Sequence, residues 1–411
     1  VGGISINPEG LIEETTPAFR QELRREMLDT ADAVPQGLKP SAKLRKVSLR
    51  GIDRAIAEAY AHDMAVLPDE VRYLGGLQRI QYVLVYPEHN DIVLAGPGEG
   101  WKIDERGEVV GETNGRPVLQ LDDLIVALRS VHAARQGGIS CSIDPTADGR
   151  QRLEALMSQQ RQFNPAIIGA IEQALGMQQV TLTGVPEDCR FARMMVAADY
   201  RMKRIAMKLE PSPVKGLNSF LDIAPASGSS MTPRWWLACN YEPLLRSEDG
   251  LGWELRGQGV KVLTEDEFVA EDGTVKQTGR ANVPAQRWAD QMTEKFNELA
   301  EVQPVFAELR NLMDLAVVAA IIEKNDLLAT AKLELPMLIR AEGGATLETW
   351  NAPKTLATQS SFMKKGRNYI ITASGGVQIE SWQVADKSEV NAQITEVRRQ
   401  AASSTSSWWW N

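Results

Sequence analysis

Four carboxylates sit where a hydrolase could use them. Glu88 and Asp91 flank His89 in the stretch Pro87-Glu88-His89-Asn90-Asp91, and Asp122 and Asp123 stand side by side at the start of a helical pattern. Two carboxyl groups roughly 5–9 Å apart in a cleft would do general acid and base work, and His89 could join them as a proton carrier or metal ligand. Each group also has a plainer role. The Glu88–Asp91 stretch has the composition of a hairpin turn, and acidic residues at a helix start complement its dipole, as does Asp144 ahead of Pro145. His62, His89 and His132 show no ligand spacing.

Other constellations are weaker. Gly96-Pro97-Gly98-Glu99-Gly100 follows a strand pattern. A phosphate loop must feed a helix N-terminus, whereas Trp101-Lys102-Ile103-Asp104 reads as another strand, so no cofactor is expected. Arg190, Arg193, Arg201, Lys203, Arg204 and Lys208 make one helix basic, which suits pairing with the chain's acidic excess better than an anionic polymer or membrane surface. Arg234, Trp235, Trp236, Tyr241 and Trp253 form an aromatic group that would either fill a core or present rings to a glycan. Cys141, Cys189 and Cys239 are too few for a disulfide framework and are read as three buried thiols in preference to one bridge and a free thiol.

The elements that must position these residues belong to a globular chain of 411 residues, 43% hydrophobic and 24% charged, with a net charge of -9. That charge disfavours nucleic acid as a partner. The longest apolar run, Leu315 to Ile322, is far short of the ~20 residues a bilayer span needs. Val1 in place of an initiator Met suggests a trimmed, exported chain.

Residues 1–46 read as an arm: a strand from Gly2 and Gly3 through Ile4 and Ile6, a helix opened by Thr16-Pro17 with a narrow stripe of Phe19, Leu23 and Met27, and a linker with Pro35 and Pro40. The strand has no partner in sight, and the helix should lie on its own body or on a neighbour's. Residues 47–210 alternate strands and helices, with a helix at Leu49, Ile52, Ile56 and Tyr60 and a hairpin from Ile80–Tyr86 to Ile92–Ala95. A Pro, Ser and Gly-rich stretch, 211–233, marks the domain boundary. The second domain, 234–402, has strands at Trp235–Cys239, Trp253–Leu255 and Val260–Leu263, a core helix over Pro304–Lys324, and a hairpin turning at Ser374-Gly375-Gly376. Glycine pairs precede strand patterns at Gly2-Gly3, Gly137-Gly138 and Gly375-Gly376, read as glycine at a tight entry into a strand and not as a repeat. Ser403–Asn411, ending in Trp-Trp-Trp-Asn, is set apart as a tail.

Leu67-Pro68-Asp69-Glu70-Val71-Arg72-Tyr73-Leu74, the stretch from Tyr82 to Pro97, Gly137 to Pro145, Pro233-Arg234-Trp235-Trp236 with Asn240-Tyr241-Glu242-Pro243, and Lys365-Gly366-Arg367-Asn368 with Ser374 to Gln378 resemble an uncharacterised family of planctomycete proteins. The resemblance runs from Gly2 to about Ala402. It implies export to the cell surface, the extracellular space or the periplasm, and brings no activity, cofactor or catalytic residue.

The expected protein is therefore α+β: a mixed sheet covered by helices in the first domain, and a second α+β domain with hairpins and a buried helix. The expected function is structural, an exported component that self-associates into a homo-oligomer or filament through Gly2, Gly3, Ile4, Ile6, Phe19, Leu23 and Met27, since an extended arm gains main-chain hydrogen bonds on a neighbour's sheet edge. The alternatives are an exported hydrolase using the four carboxylates and a glycan-binding module using the Trp group.

Overall fold

Ser48 opens the Leu49–Ala61 helix as its residue type predicts: the hydroxyl accepts a hydrogen bond from the Gly51 amide at 2.9 Å. Leu49, Ile52 and Ile56 share the face that this cap directs into the core, and all three are fully buried. The hairpin expected around Pro87 forms between Tyr82–Tyr86 and Asp91–Gly98, with a short turn of 3-10 helix at Pro87–His89 and Asn90 in the left-handed region. Pro304–Lys324 is the central helix. It starts with Pro in its first turn, and from Phe306 to Ile322 every residue except Arg310 is buried, which is why its sequence is apolar nearly all round.

The computed structural model describes residues 4–6, 12–14, 17–64, 66–159, 167–223, 233–264, 267–269, 275–277, 283–365, 367–371, 373–402 and 407–411. The fold is α+β. A six-stranded mixed sheet runs in the order Gly259–Thr264, Arg234–Asn240, Ser374–Ile379, Ile139–Pro145, Met177–Thr183, Thr355–Ala357. A seven-stranded mixed sheet runs Ser388–Val390, Leu244–Arg246, Gly252–Glu254, Tyr82–Tyr86, Asp91–Gly98, Ala42–Ser48, Trp409–Trp410. One hydrophobic core takes in residues of both sheets, among them Val83, Leu94, Cys141, Trp235 and Val377, together with the Leu121–Gly137, Arg190–Ala206 and Pro304–Lys324 helices.

This topology corrects four expectations. The stretch 211–233 is no domain boundary, because both large sheets draw strands from either side of it and share one core. Some of that stretch is itself buried: Phe220 is fully enclosed and stacks edge-on against Trp235. The linker assigned to the end of the arm holds a seven-residue strand, Ala42–Ser48, inside the seven-stranded sheet. Arg45 is fully buried, and its guanidinium donates to the carbonyls of Gly75 at 2.6 Å, Pro40 at 2.9 Å and Leu38 at 3.1 Å. With no carboxylate to offset burial, the group is lowered to about 10.

Third, no hairpin turns at Ser374-Gly375-Gly376. Ser374–Ile379 lies inside the six-stranded sheet, parallel to Arg234–Asn240 and antiparallel to Ile139–Pro145, while Arg367–Ile371 pairs back onto Ser361–Lys365. Fourth, the tail joins the fold: Trp409 and Trp410 pair with Val47 and Lys46. Gly51 makes room for it, since a Cβ there would stand 2.0 Å from the Trp408 Cβ.

Candidate functional site

The carboxylates Asp122 and Asp123 occupy the first turn of the Leu121–Gly137 helix, where their charge suits the dipole. Asp123 does more than that. Its Oδ2 accepts from the guanidinium of Arg190, the first residue of the Arg190–Ala206 helix, which also donates to Glu308 Oε1 at 2.7 Å from the central helix. A fourth group, Glu108, comes from the small ribbon Trp101–Ile103/Val109–Gly111; its Oε2 is shut off from water and has no hydrogen-bond partner. Arg190 thus serves two carboxylates, with Glu108 close enough to feel both Glu308 and Arg190.

Burial raises the Glu108 carboxyl to about 8, with Glu308 and Asp104 pushing the same way. Burial also raises Asp123, to about 7, against the pull of Arg190. For Arg190, burial acts to lower the guanidinium, but Asp123 and Glu308 together carry it above its usual value. The last two directions conflict, because a cation strengthened by its partners requires those partners to stay ionised. The direct contact decides for an ionised Asp123, which places the retained proton on Glu108. Chemically, the cluster can hold a proton at neutral pH, the property of a general acid.

That proton makes stability depend on pH in a definite sense. Glu108 titrates near 4.5 when unfolded and near 8 in the fold, so the native state binds the extra proton between those values. The stability it contributes is complete below the lower value and is lost as pH rises through the upper one. Glu108→Gln is expected to flatten stability between about pH 5 and pH 9 and to gain roughly 2–4 kcal/mol over the parent at the alkaline end, after allowing for partial exposure of the residue. Denaturant unfolding at the two pH values checks this; parallel profiles for variant and parent would refute it.

The structure does not bring the two predicted carboxylate pairs together. Asp91 is buried at the start of the Leu49–Ala61 helix, accepting from Ser48 Oγ at 2.5 Å and the Arg50 amide at 3.2 Å. Glu88 is exposed and 3.7 Å from Arg398. Asp122 accepts from the Glu348 amide at 3.3 Å. No hydrogen bond or ion pair among the described residues links Glu88 or Asp91 to Asp122 or Asp123. Asp144 pairs with Arg234 at 3.1 Å. Sequence reasoning missed Glu108 and Glu308; the surplus of arginine at the start of the 190–206 helix was the available signal, and it pointed to an acidic partner without naming one.

The basic helix pairs as expected. Besides Arg190, Arg201 binds Glu210 at 2.7 Å, Lys203 binds Asp199 at 2.7 Å, and Lys208 binds Asp222 at 2.6 Å. Arg193 lies over the Trp350 ring. Of the aromatic group, Trp235 and Trp253 are buried, the former packed between Phe220 and Trp288, so these rings form no platform for a glycan. Cys141, Cys189 and Cys239 are free thiols, each raised by burial, Cys189 to about 11 and Cys239 to about 12. Among the described residues no three His, Cys, Asp or Glu side chains gather as metal ligands, and no helix is long and apolar enough to cross a membrane.

The arm residues have varied fates. Gly2 and Gly3 lie outside the described residues. Ile4 and Ile6 belong to a strand that has a partner after all: Ile4–Ile6 pairs antiparallel with Ile12–Glu14, and this ribbon joins neither large sheet. Phe19, Leu23 and Met27 lie on the Pro17–Thr30 helix. Met27 packs against the cluster of Leu38, Tyr73, Trp101, Ile103, Val109 and Val118, and Arg24 Nε donates to the Asp104 carbonyl at 3.0 Å. The end of this helix is therefore fixed to its own body.

A free edge lies elsewhere on the molecule. Ser388–Val390 ends the seven-stranded sheet, paired among the described residues only with Leu244–Arg246, and all three residues are exposed. Lys387 and Asn391 hydrogen-bond inward, to Leu244 and Arg246. By the alternation of a strand, the backbone groups of Ser388 and Val390 then point outward.

A family model described as "Protein of unknown function (DUF1598)" matches residues 141–220. Over that stretch, from Cys141 to the buried Phe220 and including Arg190, Asp199 and Lys203, the chain is similar to an uncharacterised domain family. No curated protein and no solved structure matches the chain.

Proposed function

We propose that this protein is an exported structural component that self-associates, each molecule adding its N-terminal ribbon to the Ser388–Val390 edge of the next. The observation that carries the reading is the ribbon itself. A two-stranded hairpin is marginal in water and gains from a third strand, yet Ile4–Ile6/Ile12–Glu14 pairs with no other strand among the described residues. The exposed edge is three residues long, the length of either ribbon strand, whereas the opposite edge of that sheet, Trp409–Trp410, is two. Such a contact is head-to-tail, and gives a filament where its rotation does not close into a ring. Export rests on the family resemblance.

The test is light scattering with negative-stain imaging of the full chain and two variants. One lacks residues 1–16, which spares the docked helix and the Ala42–Ser48 strand. The other is Val390→Pro, which removes an outward amide, with Val390→Lys as the milder block. Large particles are expected for the parent, monomers of about the full chain's 45.3 kDa for the edge variants, and a correspondingly lighter monomer for the deletion. A parent that stays at 45.3 kDa at high concentration, or particles that survive the deletion, would overturn it. The hydrolase alternative keeps one argument in its favour, the carboxyl of Glu108 that burial raises. It requires Glu108→Gln to abolish turnover of an ester or glycoside probe while leaving assembly intact.

A further inference from the structure

At the last strands of the seven-stranded sheet lies an open cavity of about 330 Å³. Arg246 lines it from the Leu244–Arg246 strand. This arginine is directly opposite the buried Trp253 in the strand register and so shares its face of the sheet. An arginine on a core-facing position ordinarily finds a carboxylate or carbonyls, as Arg45 and Arg190 do. Among the described residues the side chain of the partly buried Arg246 makes neither an ion pair nor a hydrogen bond.

The other charges at the cavity are already matched. Lys324, the last residue of the central helix, pairs with Asp386 and donates to the Ala385 carbonyl at 3.1 Å, which uses two of its three donors. Asp249 pairs with Arg398 at 3.1 Å and accepts from Ser247 Oγ at 2.5 Å and the Leu251 amide at 3.0 Å. One positive charge is left over, with a planar fork of donors. Ser388 and Thr330 add hydroxyls at the exposed rim, and Leu251 adds a partly exposed apolar side chain.

We infer that this cavity binds a small organic acid, its carboxylate held by the Arg246 fork with the third hydrogen of Lys324 in support, and its short apolar portion toward Leu251. Arginine matches a carboxylate through two parallel hydrogen bonds, and the volume is that of a small-ligand pocket. The cavity adjoins the proposed assembly edge, since Ser388 lines it and Arg246 stands beside Val390 in the register, but the inference rests on Arg246 and not on assembly.

Titration calorimetry of the full chain with benzoate, acetate and inorganic phosphate tests it. Benzoate is expected to bind with a Kd on the order of 1 mM, acetate more weakly, and phosphate more weakly than benzoate. Arg246→Gln should weaken benzoate about tenfold or more, Arg246→Lys should retain some of the affinity, and Lys324→Gln should cost about threefold. The ligand-free unfolding midpoint of Arg246→Gln should equal the parent's, because its side chain holds no other group. No saturable benzoate binding up to about 50 mM, or binding unchanged in Arg246→Gln, would overturn the site. Arg246-dependent binding of phosphate in preference to benzoate would overturn the carboxylate as its ligand.

Discussion

Lys203→Met should cost on the order of 3–5 kcal/mol, a large share of a typical total of about 5–15. Asp199 is fully buried one helical turn away, and the Lys203 ammonium reaches its Oδ2 at 2.7 Å while also donating to the Gly375 carbonyl at 3.2 Å. The other oxygen of Asp199 is buried without a partner. Removing the lysine leaves a carboxylate with no counter-charge in the core, and the desolvation of that charge is what the variant must bear. The pair as a unit is worth far less, so Asp199→Leu with Lys203→Met together should recover most of the loss. Burial raises the Asp199 carboxyl above its ordinary value. Its contribution is therefore present at low pH and lost as pH rises, and Lys203→Met should be least impaired in mild acid. Denaturant unfolding of the single and double variants decides; a single variant within about 1 kcal/mol of the parent would contradict the account.

Gly376→Ala is expected to prevent folding altogether. A Cβ at Gly376 would stand 1.7 Å from the Cys141 carbonyl oxygen, and one at Gly375, where φ is +109°, would stand 1.8 Å from that of Trp235. Both obstacles are backbone of neighbouring strands in the middle of the six-stranded sheet, so relief requires the sheet to open. That exceeds the roughly 4–5 kcal/mol at which single substitutions become exceptional. Gly137→Ala is the control, since a Cβ there meets nothing within 4 Å. Soluble yield and thermal midpoint read the difference, and a soluble Gly376→Ala protein with the parent's midpoint would sink the prediction.

The same glycines show what the sequence can and cannot say. Gly375-Gly376 was legible only as glycine at the entry to a strand and in the turn of a hairpin, the places where its freedom from a side chain is most often used. What it approaches is set by partners near residues 141 and 235, and no local pattern carries that distance. Period and capping revealed the Leu49–Ala61 and Pro304–Lys324 helices and the Tyr82–Gly98 hairpin, which are decided by neighbours in the chain. The Ala42–Ser48 strand stayed hidden because Pro35 and Pro40 made the stretch read as a linker, and no local pattern shows that Arg45 is held by three carbonyls of the surrounding turns. At the acid cluster, Asp123 was visible as a helix-start residue. Its partners Arg190 and Glu308 come from helices far along the chain, and their meeting is a product of packing alone.

The placing of Ser374–Ile379 between Arg234–Asn240 and Ile139–Pro145 also bears on the time course of synthesis. The strand made late goes into the middle of the sheet, so a nascent chain that has reached residue 300 has a gap where that strand belongs and cannot close it from its own sequence. Contacts this distant are slow to form, and domain-by-domain folding during translation is ruled out for a core that both halves share. The polypeptide is consequently committed to folding after most of it has been made, as one cooperative event, and no stable half should be released by a protease that nicks it near residue 220.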